Sequence, residues 1–393
     1  MSSKEEKEMK ILHINSYYNT SRFYKSLYDK QVTLGHQIDV FVPVARGCIQ
    51  SDSFDYGSYT SISLDHGKYD RILFRLKHAK IFNDICGKYN IPKYDIIHAH
   101  SLFSNGYIAL RLKKKYGIPY VVAVRSADVI TFFGKMIHLR RIGVEIIKNA
   151  DRVIFLSRPY RDHTLDMYIP SKLKDEIVSR ISIIPNGIDD FWFENITERK
   201  SAGDINEDYP GSFEIRLLQV GNIDKNKNIV KTVDAVLLLM KKGVKVRLDV
   251  AGKIIDHRIY AKLRKLEFVR YLGYKSKQEL VNVYRDNHLF ILPSKRETFG
   301  LVYAEAMSQG LPVIYSRGQG FDGQFEDGEI GYSVNNKDPS EIADSIIAAY
   351  KEIDEISGRC IKGSKRFCWN DIAGQYEVLY TDVTSEYDTG LRK

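Results

Sequence analysis

Two tandem α/β domains, each a doubly wound parallel sheet, are what this sequence predicts, on three observations. Short apolar, β-branched runs alternate with longer helical patterns along the chain. Several of these runs are continuous, as in parallel strands buried on both faces. The alternation stops in a polar stretch near the middle and then begins again. Length agrees, because 393 residues exceed the roughly 250–300 that one core usually fills.

In the first half the predicted strands are 11–14 (ILHI), 38–42 (IDVFV), 96–99 (IIHA), 120–124 (YVVAV), 153–156 (VIFL) and 181–184 (ISII). The segments between them are long enough for crossover helices. Residues 195–211 (NITERKSAGDINEDYPG) then turn polar and irregular, and are read as a linker. Beyond it come 215–220 (IRLLQV), 246–250 (VRLDV), 269–272 (VRYL), 288–292 (HLFIL) and 312–315 (PVIY). The expected organisation is thus two Rossmann-like domains, 1–195 and 196–374, facing a central cleft where ligands bind at the carboxyl ends of the strands. A C-terminal helix at about 375–393 packs back on the first domain in this reading.

Composition narrows the class. With 44% hydrophobic and 28% charged residues, the chain reads as an ordinary globular protein. Residues 1–10 (MSSKEEKEMK) are a charged leader without the apolar run of a signal peptide, and no stretch of about 18 apolar residues offers a membrane span. A cytoplasmic protein is expected. Cys48, Cys86, Cys360 and Cys368 match no zinc or redox spacing and are expected to be reduced, mostly buried thiols. The net charge of +9 is uneven, since residues 1–195 hold 29 Lys/Arg against 21 Asp/Glu. A basic first half points to an anionic partner. Nucleic acid is not expected, because no docking motif or aromatic–basic stacking patch accompanies the charge.

The densest motif is 292–313, LPSKRETFGLVYAEAMSQGLPV. A strand enters a Pro-Ser loop, a helix pattern begins near Gly300 or Leu301, and Gly310 and Pro312 end it. The helix amino terminus presents unpaired N–H groups and a partial positive charge, which suit a diphosphate. Gly300 lets the backbone approach a phosphate closely. Glu297 and Glu305 frame the turn, and carboxylates accept well from the vicinal hydroxyls of a sugar or a ribose. Singly, each glutamate would read as a solvated surface group; the combination reads as a site.

The stretch Ser294-Lys295-Arg296-Glu297-Thr298-Phe299-Gly300-Leu301-Val302, followed by Glu305-Ala306-Met307 and Gly310-Leu311-Pro312-Val313, resembles the signature of family-4 glycosyltransferases, with Glu297 and Glu305 as its Glu-x7-Glu pair. Gly35-His36, His98-Ala99-His100, Ile184-Pro185-Asn186-Gly187-Ile188-Asp189, Val220-Gly221 with Lys227, and Phe367-Cys368-Trp369 follow the family's landmarks in order. The resemblance implies the GT-B fold and glycosyl transfer with retention of configuration. It assigns Glu297 to the donor sugar, Glu305 to the ribose, Lys227 to the diphosphate, and the backbone at Ser294, Thr298, Phe299, Gly300 and Leu301 to the sugar or phosphate. Gly221 and Asn222 complete the donor-binding set.

Three departures from the family pattern stand out. Asn222 replaces an Arg and removes one cation, for which Lys225 or Arg296 are the candidate substitutes. The first loop, 15–20 (NSYYNT), lacks glycine and is expected to shape an acceptor pocket. Arg125 stands where many members have His; it cannot act as a base near neutral pH, but can steady an anionic leaving group or acceptor. His100 is then the candidate titratable group of the amino-terminal domain, with His98 two residues before it. The catalytic set expected from sequence is Glu297, His100 and Arg125.

No DxD-type metal site is visible, so no metal and no cofactor are expected, with a nucleotide-diphosphate sugar as donor substrate. Segments 68–88 and 133–148 combine helical apolar spacing with Lys/Arg. They read either as core-packing helices with solvated basic faces or as helices lying on an anionic membrane. The second reading implies a lipid-linked saccharide acceptor, a peripheral place on the inner face of the membrane, and a role in surface polysaccharide or glycolipid assembly. The alternative from another class is a catalytically inert relative acting as a binding or regulatory subunit, motivated by Asn222 and Arg125.

Overall fold

The computed structural model describes residues 8–48, 53–67, 70, 73–196 and 214–390. Most of the charged leader, the linker from 197 to 211 and part of segment 68–88 lie outside the described residues. The chain divides into two compact units, Met1–Leu156 with Tyr160–Pro185 and Trp369–Lys393, and Asn186–Cys368 with Ser157–Pro159. The sequence reading placed these boundaries at 195 and about 374.

The first unit holds β1 (Lys10–Ile14), β2 (Gln37–Ala45), β3 (Thr60–His66), β4 (Ile96–Ala99), β5 (Tyr120–Val124), β6 (Arg152–Phe155) and β7 (Ile181–Ile183). They form one parallel sheet in the order β3-β2-β1-β4-β5-β6-β7. The second unit holds β8 (Glu214–Val220), β9 (Lys245–Ala251), β10 (Val269–Gly273), β11 (Leu289–Leu292), β12 (Val313–Ser316) and β13 (Gly331–Val334). Their order, β10-β9-β8-β11-β12-β13, repeats the same winding. In each sheet the direction of winding reverses at the central pair, β1/β4 and β8/β11. Open α/β sheets bind ligands at the carboxyl ends of the strands beside such a reversal.

The sheets are buried on both faces, as the continuous apolar strands require: β4, β5, β11 and β12 have every residue buried. In the first unit one apolar layer takes in the helix Trp369–Asp388, whose Trp369, Ile372, Tyr376, Leu379 and Tyr380 pack with Tyr24, Leu27, Tyr28 and Val40. In the second unit the helix Ile229–Lys241 supplies Ile229, Val233, Val236 and Leu239 to a layer shared with β8, β9 and β11.

Three expectations are corrected. Strands β3 and β13 were not anticipated. Segment 133–148 is not one helix but a wide turn at Asp128–Phe133, a short turn at Ile137–Leu139 and a helix at Arg140–Asn149. Gly143 within it explains the close packing, since a Cβ there would lie 2.5 Å from the Phe103 ring. The cysteines are all free, but only Cys360 is buried; Cys86 and Cys368 are half-buried and Cys48 is exposed.

Candidate functional site

In the second unit the site is built on the two loops that leave β8 and β11. Gly221 follows β8 with φ +150, and Gly252 follows β9 with φ +151; a Cβ on Gly252 would lie 1.9 Å from the Gly221 carbonyl oxygen. Only two glycines let these strand ends meet. After Gly221 the Asp224 carboxylate accepts from the N–H of Asn226 and of Lys227, both at 2.8 Å. This Asx turn lifts Lys227 out of the loop. Its side chain runs back past Gly221, its Cε 3.4 Å from where a Cβ would stand.

The loop after β11 carries the acid. Lys227 Nζ donates to Glu297 Oε2 at 2.6 Å, and the Ser294 hydroxyl donates to the same oxygen at 3.4 Å. Both side chains are largely enclosed. The backbone of Glu297 is fixed at both ends: its N–H donates to Gln319 Oε1 at 3.1 Å, and its carbonyl accepts from Gly320 N–H at 3.0 Å. Gly320 is sterically required, since a Cβ would lie 1.9 Å from the Thr298 carbonyl oxygen.

Gly300 caps the helix Leu301–Ser308 in the left-handed region at φ +82, and a Cβ there would meet the Tyr303 ring at 2.4 Å. Phe299 is buried against Phe321 and Phe367 and anchors the turn. Glu305, one turn into the helix, lines a cavity of about 440 Å³ together with Gly221, Asn222, Lys253, Tyr274 and Lys277. The Tyr284 hydroxyl donates to Glu305 Oε2 at 3.3 Å. Burial pushes the Glu305 carboxyl up to about 7, against a smaller downward pull from that hydroxyl. Thus Lys227, Ser294 and Glu297 gather at one point beside Gly221, and Glu305 and Asn222 share the adjoining cavity.

In the first unit His100 and Arg125 follow the ends of β4 and β5. His100 is fully buried: its Nε2 lies 3.1 Å from His13 Nδ1 and 3.3 Å from the Tyr28 hydroxyl, and its ring stacks on His98 at 3.9 Å. Burial, then the neighbouring His98, His13 and Arg125, hold its pKa well below the usual histidine value. Its carbonyl accepts from Arg125 Nε at 3.1 Å. Asp128 accepts from the N–H groups of Leu102, Phe103 and Arg125 at 3.0, 3.1 and 2.9 Å, tying the two loops together. Burial still raises its carboxyl to about 6, outweighing those three bonds. Nitrogens of His13, His98 and His100 lie within 4.8 Å of one another. The Arg125 charge acting on His98 and His100 opposes a second cation there.

The basic segments bury their apolar sides. Phe74–Lys88 turns His78, Ile81, Phe82 and Ile85 inward, and Arg140–Asn149 turns Gly143, Ile146 and Ile147 inward. Ile137 stays two-thirds exposed, between exposed Lys135 and His138. Among the described residues, no helix is long and apolar enough to cross a membrane.

Sequence reasoning missed Asp224, Asn226, Gln319, Gly320 and Tyr284. Asp224-x-Asn226 carries a visible turn signal; the others act through contacts that spacing cannot show.

Comparison with known proteins places these features. Residues 20–190 match the model described as Glycosyltransferase Family 4, and residues 210–367 the one described as Glycosyl transferases group 1. An uncharacterized glycosyltransferase of Methanocaldococcus jannaschii is 24% identical over 346 residues, covering 85% of this chain and 88% of its own. The alpha-monoglucosyldiacylglycerol synthase of Acholeplasma laidlawii is 26% identical over 324 residues, covering 77% and 78%. The crystal structure of Anabaena HepE in complex with UDP and glucose superposes with a TM-score of 0.65 at 17% identity, over 95% of this chain and all of that one. That likeness is one of fold.

Proposed function

We propose that this chain, whose residues 20–190 and 210–367 match glycosyltransferase family models, moves a sugar from a nucleotide-sugar donor to an acceptor hydroxyl with retention of configuration and without a divalent metal. The observation that carries the reading is the Lys227–Glu297 pair, 2.6 Å apart beside Gly221 and next to the cavity that Glu305 lines. A cation for the diphosphate and a carboxylate for the sugar stand together at that point, and a second carboxylate, for the ribose, lines the adjoining cavity.

Lys227 and the N–H groups at the start of Leu301–Ser308 take the diphosphate and stabilise the charge that develops as it leaves. This counter-charge is what a divalent ion would otherwise supply. Asn222 offers only neutral hydrogen bonds, so Arg296 and Lys225 on the same two loops supplement Lys227. Glu297 holds the sugar hydroxyls and Glu305 the ribose. The acceptor hydroxyl bonds to the anomeric carbon on the face from which the nucleoside diphosphate departs with the electron pair of the broken C–O bond, and the hydroxyl proton passes to that departing phosphate oxygen; same-face substitution retains the configuration. Arg125 is the anion-stabilising group of the first unit, its guanidinium oriented by the 3.1 Å bond to the backbone carbonyl of residue 100; the role of the His100 ring as the titratable group of this unit is opposed by its full burial, which holds its pKa well below the usual histidine value.

The acceptor we propose is a lipid-linked saccharide in surface polysaccharide or glycolipid assembly, met at an anionic membrane surface from the cytoplasmic side. The basic excess of residues 1–195 and the exposed Ile137 among polar neighbours support it. The relative named for diacylglycerol glycosylation supports it too.

The test incubates the full chain with UDP-, GDP- and ADP-sugars, with and without EDTA and with membrane extract as acceptor, following nucleoside diphosphate release. One donor is expected to turn over regardless of EDTA, and Glu297→Ala to lower the rate by on the order of 100-fold or more. No turnover with any donor would favour the inert-relative reading.

A further inference from the structure

Lys227 sits between two asparagines, and both reach the loop that carries Glu297. On one side the Asn226 amide brackets Arg296: its Oδ1 accepts from the Arg296 N–H at 3.1 Å and its Nδ2 donates to the Arg296 carbonyl at 2.9 Å. The Asn226 carbonyl also accepts from the Lys295 N–H at 2.8 Å. On the other side Asn228, in the left-handed region at φ 55, donates from Nδ2 to the carbonyls of Pro293 at 3.0 Å and Asn336 at 2.7 Å. The loops that follow β8 and β11 are therefore stitched together on both sides of Lys227, although no strand pairing joins them at that point.

We infer that Asn226 is a positioning residue, which acts by fixing Lys227 against the Glu297 loop so that the cation meets a nucleoside diphosphate already in place. The inference rests on the proposed role of Lys227 in binding the diphosphate. Two features separate it from a purely structural role. The Arg296 groups that Asn226 holds are at the exposed surface, where water replaces a lost partner at little cost in stability. What water cannot replace is the register between the loops, and a displacement of about 1 Å in such a site can cost on the order of 100-fold. Asn226 also joins the backbone of Lys225–Lys227 to that of Lys295–Arg296, so the clamp holds together two short segments that carry four cationic residues.

The test is a double-mutant cycle on the full chain, read as the dissociation constants of UDP, GDP and ADP by calorimetry, using the nucleotide that binds best. Asn226→Ala is expected to weaken that nucleotide about tenfold in the wild-type background and less than twofold in the Lys227→Ala background, with the melting temperature unchanged. Should Asn226→Ala not fold, Asn226→Ser is measured in its place with the same expectation. Equal losses in both backgrounds, or no loss in the first, would overturn the inference while leaving the role of Lys227 intact. If Lys227→Ala binds as tightly as wild type, or no nucleotide binds, the reading beneath the inference falls and the inference with it.

Discussion

At the scale of single residues, the site is governed by what its carboxylates face. Burial pushes the Glu305 carboxyl up to about 7, so its charge changes across neutral pH. A carboxylate accepts more strongly from ribose hydroxyls than a carboxyl does. Donor KM is therefore expected to rise as pH falls below about 7 and level off above it, and Glu305→Gln to flatten that profile. A KM that is flat with pH in the wild type would contradict the role given to Glu305. Gly320 offers a steric test. Its Cβ would penetrate the Thr298 carbonyl, so Gly320→Ala must displace the Glu297 loop, with a destabilisation of about 1–3 kcal/mol measurable by urea unfolding. The motif between 292 and 313 made Glu297, Gly300 and Glu305 legible in the sequence. Gly320 and Gln319 were not, because they act from the loop after β12, and nothing in their own sequence records that the Glu297 backbone lies against them.

At the scale of elements, the strands read correctly carry apolar, β-branched runs, several of them continuous, and they include the edge strands β7 and β10. Both misses are edge strands. In β3, TSISLDH, only Ser63 and His66 are buried, and β13, GYSV, is four residues with a glycine and a serine. An edge strand has one neighbour and less apolar burial, so its composition drifts toward that of a loop. The helix Trp369–Asp388 was legible as a late helix through Phe367-Cys368-Trp369, and its buried side carries the packing. Ile372 is fully buried in the layer it shares with Tyr24 and Tyr28. Ile372→Ala is expected to cost about 2–4 kcal/mol through transfer and cavity terms, seen as a lower urea midpoint at unchanged slope. A cost under about 0.5 kcal/mol, the size of a surface substitution, would mean that this helix is not part of the first core.

At the scale of the whole molecule, buried titratable groups set how the fold responds to acid. His13 is lowered to about 3 and His78 to about 4, chiefly by burial, and His98 and His100 lie well below the usual value. Below about 6.5 the unfolded chain protonates all four while the native state does not, so stability falls with pH by about 1.4 kcal/mol per unit for each such proton. Glu305 and Asp128 act in the opposite sense, because the native state binds their protons first, and Asp65, also raised, adds to them. Four imidazoles outweigh these carboxyls between pH 6.5 and 5, and the urea midpoint is expected to be lower at pH 5.5 than at 7.5; an equal or higher midpoint would mean that the cluster opens to water. Whether this chain's own cations hold a nucleoside diphosphate is read by titrating the full chain with UDP, GDP and ADP in EDTA, beside Lys227→Ala. One nucleotide is expected to bind with EDTA present and to bind at least about tenfold more weakly to Lys227→Ala; binding that appears only on adding a divalent ion, or that survives Lys227→Ala unchanged, would rule out cation-based binding.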